Sequence, residues 1–178
     1  MSEHSSISDL QVVRDLIGER KFEEARLLCL KQGRGGVEAE SFHLLGYIDQ
    51  QTGNYQSAVN NLSRAIKLGL IDWSAELTLA YSHHSLAHHR KAEAAARRAL
   101  ELNRTSIEAA NFLVDSMISR GSYKEAKRFI VEVENDFNGD QIEILRKKLP
   151  AVTPEFQLSP LNGFSKLVYQ ELMVNQKN

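Results

Sequence analysis

Proline and glycine are scarce, at 3 and 10 of 178 residues. A chain so poor in both cannot supply the many tight turns of an all-β sandwich, and it is neither collagen-like nor proline-rich low complexity. Cysteine is scarcer still. Cys29 stands alone, so no internal disulfide can form and nothing marks an oxidising compartment. Neither sign of charge dominates: 22 Lys and Arg face 23 Asp and Glu, whereas a nucleic-acid reader carries a clear basic excess. The apolar runs are too short to span a bilayer. The opening residues, MSEHSSISDL, lack the basic-then-apolar order of a secretory signal. Catalytic signatures are missing too: there is no phosphate-binding glycine loop, no GxSxG, no HExxH and no CxxC. These absences lead us to expect a cytoplasmic chain without catalytic residues, cofactor or metal, without a nucleic-acid partner and without a membrane span. The length suits one domain, or one domain plus a tail.

What is present is a repeat. Ala39, Trp73 and Ile107 open stretches spaced 34 residues apart. In this register Leu45, Leu79 and Leu113 coincide, followed by Gly46, Ala80 and Val114. Ala58, Ala92 and Ala126 coincide, and so do Ala65, Ala99 and Val133. Turn signals, Gly53-Asn54 and Gly121-Ser122, precede the second half of the first and third stretches. Apolar residues recur at helical spacing on both sides of the turn, for example at Ala58, Leu62, Ala65 and Ile66. Each stretch therefore reads as a helical hairpin. Small residues let two helices cross closely, and Gly46 is expected to face Ala58. One hairpin cannot bury its own apolar face, so successive hairpins should stack into a solenoid.

The pattern resembles the tetratricopeptide repeat. Phe42, Leu45 and Gly46, then Gly53, Tyr55 and Ala58, then Leu62 and Ala65 carry the likeness in the first unit. Leu79, Ala80, Ala92, Ala96 and Ala99 carry it in the second. Leu113, Gly121, Tyr123, Ala126 and Ile130 carry it in the third. The resemblance implies an all-α, right-handed superhelical solenoid of antiparallel helix pairs. Three units are expected, at 39–72, 73–106 and 107–138. The chain departs from the family pattern at Ala87 and His89, where a turn glycine and an aromatic belong, and at Val114. Leu70 and Arg104 stand where prolines usually close the units. The middle turn is therefore expected to be looser than its neighbours.

Residues 1–36 read as a degenerate N-terminal hairpin, in which Gly18 to Ala25 imitates the turn, aromatic and alanine order. Cys29 sits there among leucines as a small hydrophobe. Residues 140–149 read as a short capping helix that Asp140 can start. Residues 150–178 read as a proline-containing linker and a C-terminal amphipathic helix bearing Phe164, Leu167, Val168 and Leu172. That helix either folds back on the last unit or docks, in a groove or on a second chain.

The resemblance places a concave face on the first helix of each unit. Its inward positions are Glu40, His43, Tyr47, Gln50 and Gln51, then Ser74, Leu77, Tyr81 and His84, then Glu108, Asn111, Asp115, Ile118 and Ser119. Such a face implies a non-catalytic adaptor that holds a peptide or partner protein. One subtype clamps a C-terminal carboxylate with Lys, Asn and Arg. Here the matching places hold His43, Tyr47, Thr78, Glu108 and Phe112, so a neutral or apolar ligand is expected instead. Two alternatives stand beside the adaptor: a chaperone like those of type III secretion translocators, and a self-assembling protein joined through its C-terminal helix. His84 and His88 have the i, i+4 spacing of metal ligands but no carboxylate or thiol beside them, so a polar helix end is the expectation. Basic residues on the second helices, Arg97 and Arg98 among them, suggest a solvated convex surface with i, i+4 ion pairs.

Overall fold

The computed structural model describes residues 3–32 and 37–150, and among these it is helical with no strand. The helices are α1 (Glu3–Gly18), α2 (Phe22–Gln32), α3 (Glu38–Gln51), α4 (Tyr55–Lys67), α5 (Trp73–Ser85), α6 (His89–Leu102), α7 (Ile107–Ser119), α8 (Tyr123–Glu132) and α9 (Gly139–Lys147). A 3-10 turn, Glu134–Asp136, lies between the last two. The residues fall into two compact units, one up to Ser116 and one from Met117 onward. The expected linker and C-terminal helix, with Phe164, Leu167, Val168 and Leu172, lie outside the described residues.

In the first unit α1 packs on α2, α3 on α4 and α5 on α6, and α2 and α4 in turn meet α3 and α5. Each pair closes through the same turn. Two residues before the second helix the backbone is left-handed: φ is 61° at Arg20, 80° at Gly53 and 58° at Ala87. The following amide donates to a carbonyl five residues back, Lys21 to Leu16 at 2.9 Å, Asn54 to Asp49 at 2.8 Å and His88 to His83 at 2.8 Å. The left-handed residue itself donates three back, to Ile17, Gln50 and His84. This pair of bonds satisfies carbonyls that the end of a helix leaves orphaned. The middle turn is therefore no looser than the first, because its hydrogen bonds hold Ala87 in a conformation that glycine adopts more readily. In the N-terminal pair Arg20, not Gly18, takes the turn position.

Packing follows the small residues. Ala25, Ala58, Ala92 and Ala99 are fully buried, as are Val13, Ile48 and Leu62. Gly46 makes its close approach to Leu62 rather than to Ala58: a Cβ there would stand 2.5 Å from Leu62 Cγ. Cys29 is buried in the same core as Val13 and Ile48. Burial pushes its thiol up to about 11, so it is no nucleophile.

A polar knot ties three helices within this core. Asp49 of α3, 1% exposed, pairs with Arg26 of α2 at 2.6 Å. Its second oxygen accepts from Ser57 and Asn61 of α4, both at 2.7 Å. On α6, Arg98 reaches across to Glu76 of α5 at 3.0 Å. This is a cross-helix pair, not the i, i+4 pair along one helix that the sequence suggests.

The second unit begins with the end of α7. There Gly121 repeats the turn, with φ 77° and an amide bond from Ser122 to Met117 at 2.8 Å. Ala126, Phe129 and Ile130 of α8 are buried, as are Ile142 and Leu145 of α9, and α8 packs on α9. Asn138 rather than Asp140 caps α9. Its side chain accepts from the Gln141 amide while the Gln141 side chain accepts from the Asn138 amide.

Candidate functional site

Three helices of the first unit, α3, α5 and the opening turn of α7, bound a depression of about 450 Å³. Helix α3 contributes Tyr47, Gln50 and Gln51, and α7 contributes Glu108. Helix α5 contributes Trp73, Ser74, Leu77, Thr78 and Tyr81. The spacing of these α5 residues is helical, so they form one stripe along the helix, buried at Leu77 and Thr78 and exposed at Tyr81.

The side chains are held in place. Asp72 caps α5, accepting from the Ser74 amide at 2.7 Å and the Ser74 hydroxyl at 2.6 Å. Burial pushes the Asp72 carboxyl up. The Ser74 bonds, the charge of His43 and the Ala75 amide pull it down, and the net effect lies below the ordinary carboxylate value. His43 Nε2 lies 3.4 Å from the Ser74 hydroxyl. Thr78 is tied to its own helix through the Ser74 carbonyl at 2.8 Å.

Tyr81 is 40% exposed and rests edge-on against Phe112, with ring centroids 4.9 Å apart and planes at 83°. That geometry matches the ring quadrupoles and fixes the phenol's direction. Burial raises the Tyr81 hydroxyl above its ordinary pKa, and the carboxylates of Glu108 and Asp115 raise it further. Phe112 also backs the ring of His84 at 5.6 Å.

Residues 39–68 and 77–106 match the family model of the tetratricopeptide repeat. These two stretches are tetratricopeptide repeats. Such repeats serve in general as non-catalytic scaffolds for protein or peptide partners. Solved structures share the fold. A crystal structure of MamA superposes with a TM-score of 0.66 at 20% identity, covering 74% of this chain and 77% of that one. YrrB, described as a TPR protein with an unusual peptide-binding site, gives 0.64 at 19% identity, covering 74% and 68%. No curated protein matches the chain in sequence.

Of the repeat positions expected to face inward, Tyr47, Gln50, Leu77 and Tyr81 come together in the depression, with Gln51, Ser74 and Glu108. His43 stands beside it through Ser74. His84 turns to Phe112 and His89 rather than to the space lined by Tyr81. Asn111 and Asp115 do not line it. The Asn111 side-chain oxygen is buried without a partner, and the charge of Asp115 acts on Tyr81. Ile118 belongs to the second unit.

Trp73 and Thr78 were missed as lining residues. Trp73 served only to mark the start of a repeat, and Thr78 only as a failed clamp position. A helical stripe drawn through Ser74, Leu77 and Tyr81 would have found both. The histidines pair differently from the i, i+4 spacing: His83 meets His88 at 5.7 Å and His84 meets His89 at 5.5 Å, each i, i+5 across the turn. Among the described residues, no three His, Cys, Asp or Glu side chains gather as a metal cluster does. No described helix is long and apolar enough to cross a membrane.

Proposed function

We propose that this chain is a non-catalytic adaptor that captures a peptide segment of a partner protein in the depression between α3, α5 and α7. The observation that carries the reading is the pairing of Tyr47 with Tyr81 across a cleft that also holds Trp73, Leu77 and two glutamines. Aromatic groups with polar tips give large contact area at low entropy cost, and amides suit the backbone of an extended peptide. The description of YrrB as a peptide-binding protein supports the same use of the fold. Peptide capture needs no reactive group. The lone, buried Cys29 accords with a reducing compartment such as the cytoplasm. Self-assembly through Phe164, Leu167, Val168 and Leu172 rests on residues outside the described ones, and no observation favours the secretion-chaperone reading.

The test is capture of a partner on the immobilised full chain from a lysate of its native organism. Tyr47→Ala combined with Tyr81→Ala should remove the captured protein. Each anchor contributes about 2 kcal/mol, roughly thirtyfold in affinity. Far-ultraviolet circular dichroism should stay unchanged, because neither tyrosine is a core residue. Undiminished capture by the folded double variant would reject this site.

A further inference from the structure

The depression is charged on one side only. Among its lining residues Glu108 is the single ionisable group apart from the phenols, and there is no Lys, Arg or His. The carboxylate is not consumed by an ion pair: its Oε2 accepts from the Ser106 hydroxyl at 3.2 Å, which leaves its charge intact. Asp115 adds a second negative charge close enough to act on the Tyr81 phenol. At the α5 N-terminus Asp72 supplies a third, directly behind Ser74. Against these, Arg14 acts on His43, and the charge of His43 acts in turn on Asp72. The rest of the cleft consists of aromatic rings, Leu77 and neutral amide and hydroxyl side chains.

A neutral apolar ligand would leave the Glu108 charge unmatched, and a carboxylate ligand would be repelled. We infer that the depression takes the cationic side chain of a lysine or arginine in the partner's segment. This deepens the peptide-capture reading and rests on it. The methylene stem lies along Leu77 and the tyrosine rings, as long basic side chains do on apolar surface. The charge meets the negative ring faces of Tyr47, Trp73 and Tyr81 and the carboxylate of Glu108. The neutral-ligand expectation drawn from sequence rested on the missing clamp cations. It used Glu108 only to exclude a carboxylate ligand, whereas the same charge favours a cation.

Trp73 is the chain's one tryptophan and lines the cleft, so its fluorescence reports on occupancy. The full chain is titrated with a capped heptapeptide of lysine, leucine and alanine, and with its isostere in which norleucine replaces lysine. Isothermal calorimetry gives the affinities independently. The lysine peptide should perturb Trp73 saturably and bind about fivefold tighter than the norleucine one or better. Added salt should shrink the difference, and Glu108→Gln, which still accepts from Ser106, should abolish most of it. Equal or tighter binding of the norleucine peptide overturns the cation and leaves the capture reading standing. A lysine preference that survives Glu108→Gln in full overturns its assignment to this cleft. Failure of both peptides to bind at millimolar concentration also overturns the inference, and the paired tyrosine variants then decide whether the capture reading falls with it.

Discussion

Ala87 takes the left-handed backbone of Gly53, its counterpart 34 residues earlier, at φ 58° against 80°. A Cβ in that region crowds the following carbonyl and costs about 1–2 kcal/mol. Glycine removes the crowding but loses more entropy on folding, about 0.5–1 kcal/mol. Ala87→Gly should therefore stabilise the fold by up to about 1 kcal/mol, read as a raised urea midpoint with an unchanged slope. Gly53→Ala should lower it by a similar amount. A loss of stability in Ala87→Gly would mean that the turn is not strained.

These turns also mark the limit of what the sequence makes legible. The period and the buried alanines at 58, 92 and 126 are visible because helical packing demands small side chains there. The turn conformation is visible only where glycine marks it, at Gly53 and Gly121, because hydrogen bonding imposes it even where glycine is absent. Arg20 and Ala87 comply, and no local signal sets them apart. The cleft was half legible for a related reason. Register alone places Tyr47, Leu77 and Tyr81 on one face. Spacing also puts Trp73 on that stripe, four residues before Leu77, but that the stripe meets α3 is a matter of packing rather than of spacing. The cross-helix partners of Asp49 and Glu76 were invisible for the same reason, since Arg26 and Arg98 lie 23 and 22 residues away along the chain.

The contact between Gly46 and Leu62 sets the spacing of α3 and α4. A methyl group at position 46 would lie 2.5 Å from Leu62 Cγ and 3.3 Å from the Leu62 amide nitrogen, so it cannot be accommodated by a rotamer change alone. Alanine gains about 1 kcal/mol in helix propensity. Overpacking costs about 1–3 kcal/mol. Gly46→Ala should destabilise by about 1 kcal/mol net, the overpacking outweighing the propensity gain. Leu62→Ala alone should cost about 2–5 kcal/mol through its cavity. Combined, the two should cost less than their sum by about 1 kcal/mol, because the new methyl occupies part of the space vacated. Simple additivity in a denaturant series would show that the two residues do not share this contact.

Asp49 and Arg26 should respond unequally to substitution. Arg26→Met leaves a carboxylate that is 1% exposed with only two neutral donors, Ser57 and Asn61. The expected loss is about 2–3 kcal/mol. Asp49→Asn instead leaves Arg26, whose side chain is 25% exposed and can turn to water. The new amide can donate to Ser57 and keep its oxygen toward Arg26, for a loss of about 1 kcal/mol. Urea unfolding of both variants checks the order. The reverse order would place the energy of the knot in the arginine's packing rather than in the buried charge.

Two histidines give the fold an acid limit. Burial lowers the His83 pKa from 6.5, and Lys91, His88 and Arg98 lower it further, while its Nδ1 lacks a partner. Burial also lowers His43, with Arg14 acting the same way, and Asp72 and Glu40 offset only part of this. In both cases the unfolded chain takes up a proton at a pH where the folded chain refuses it. Stability is therefore complete above the unfolded value of 6.5 and declines as pH falls below it toward the lowered folded values. The melting temperature should be flat between about pH 7 and 8 and fall between about pH 6.5 and 5, before carboxylate protonation dominates. His83→Gln should flatten that fall while leaving the neutral plateau in place, since glutamine carries no titrating group into the α5–α6 turn. A melting temperature that rises as pH drops from about 7 to 6 would require a histidine stabilised in its charged form, which burial beside Lys91 and Arg98 forbids.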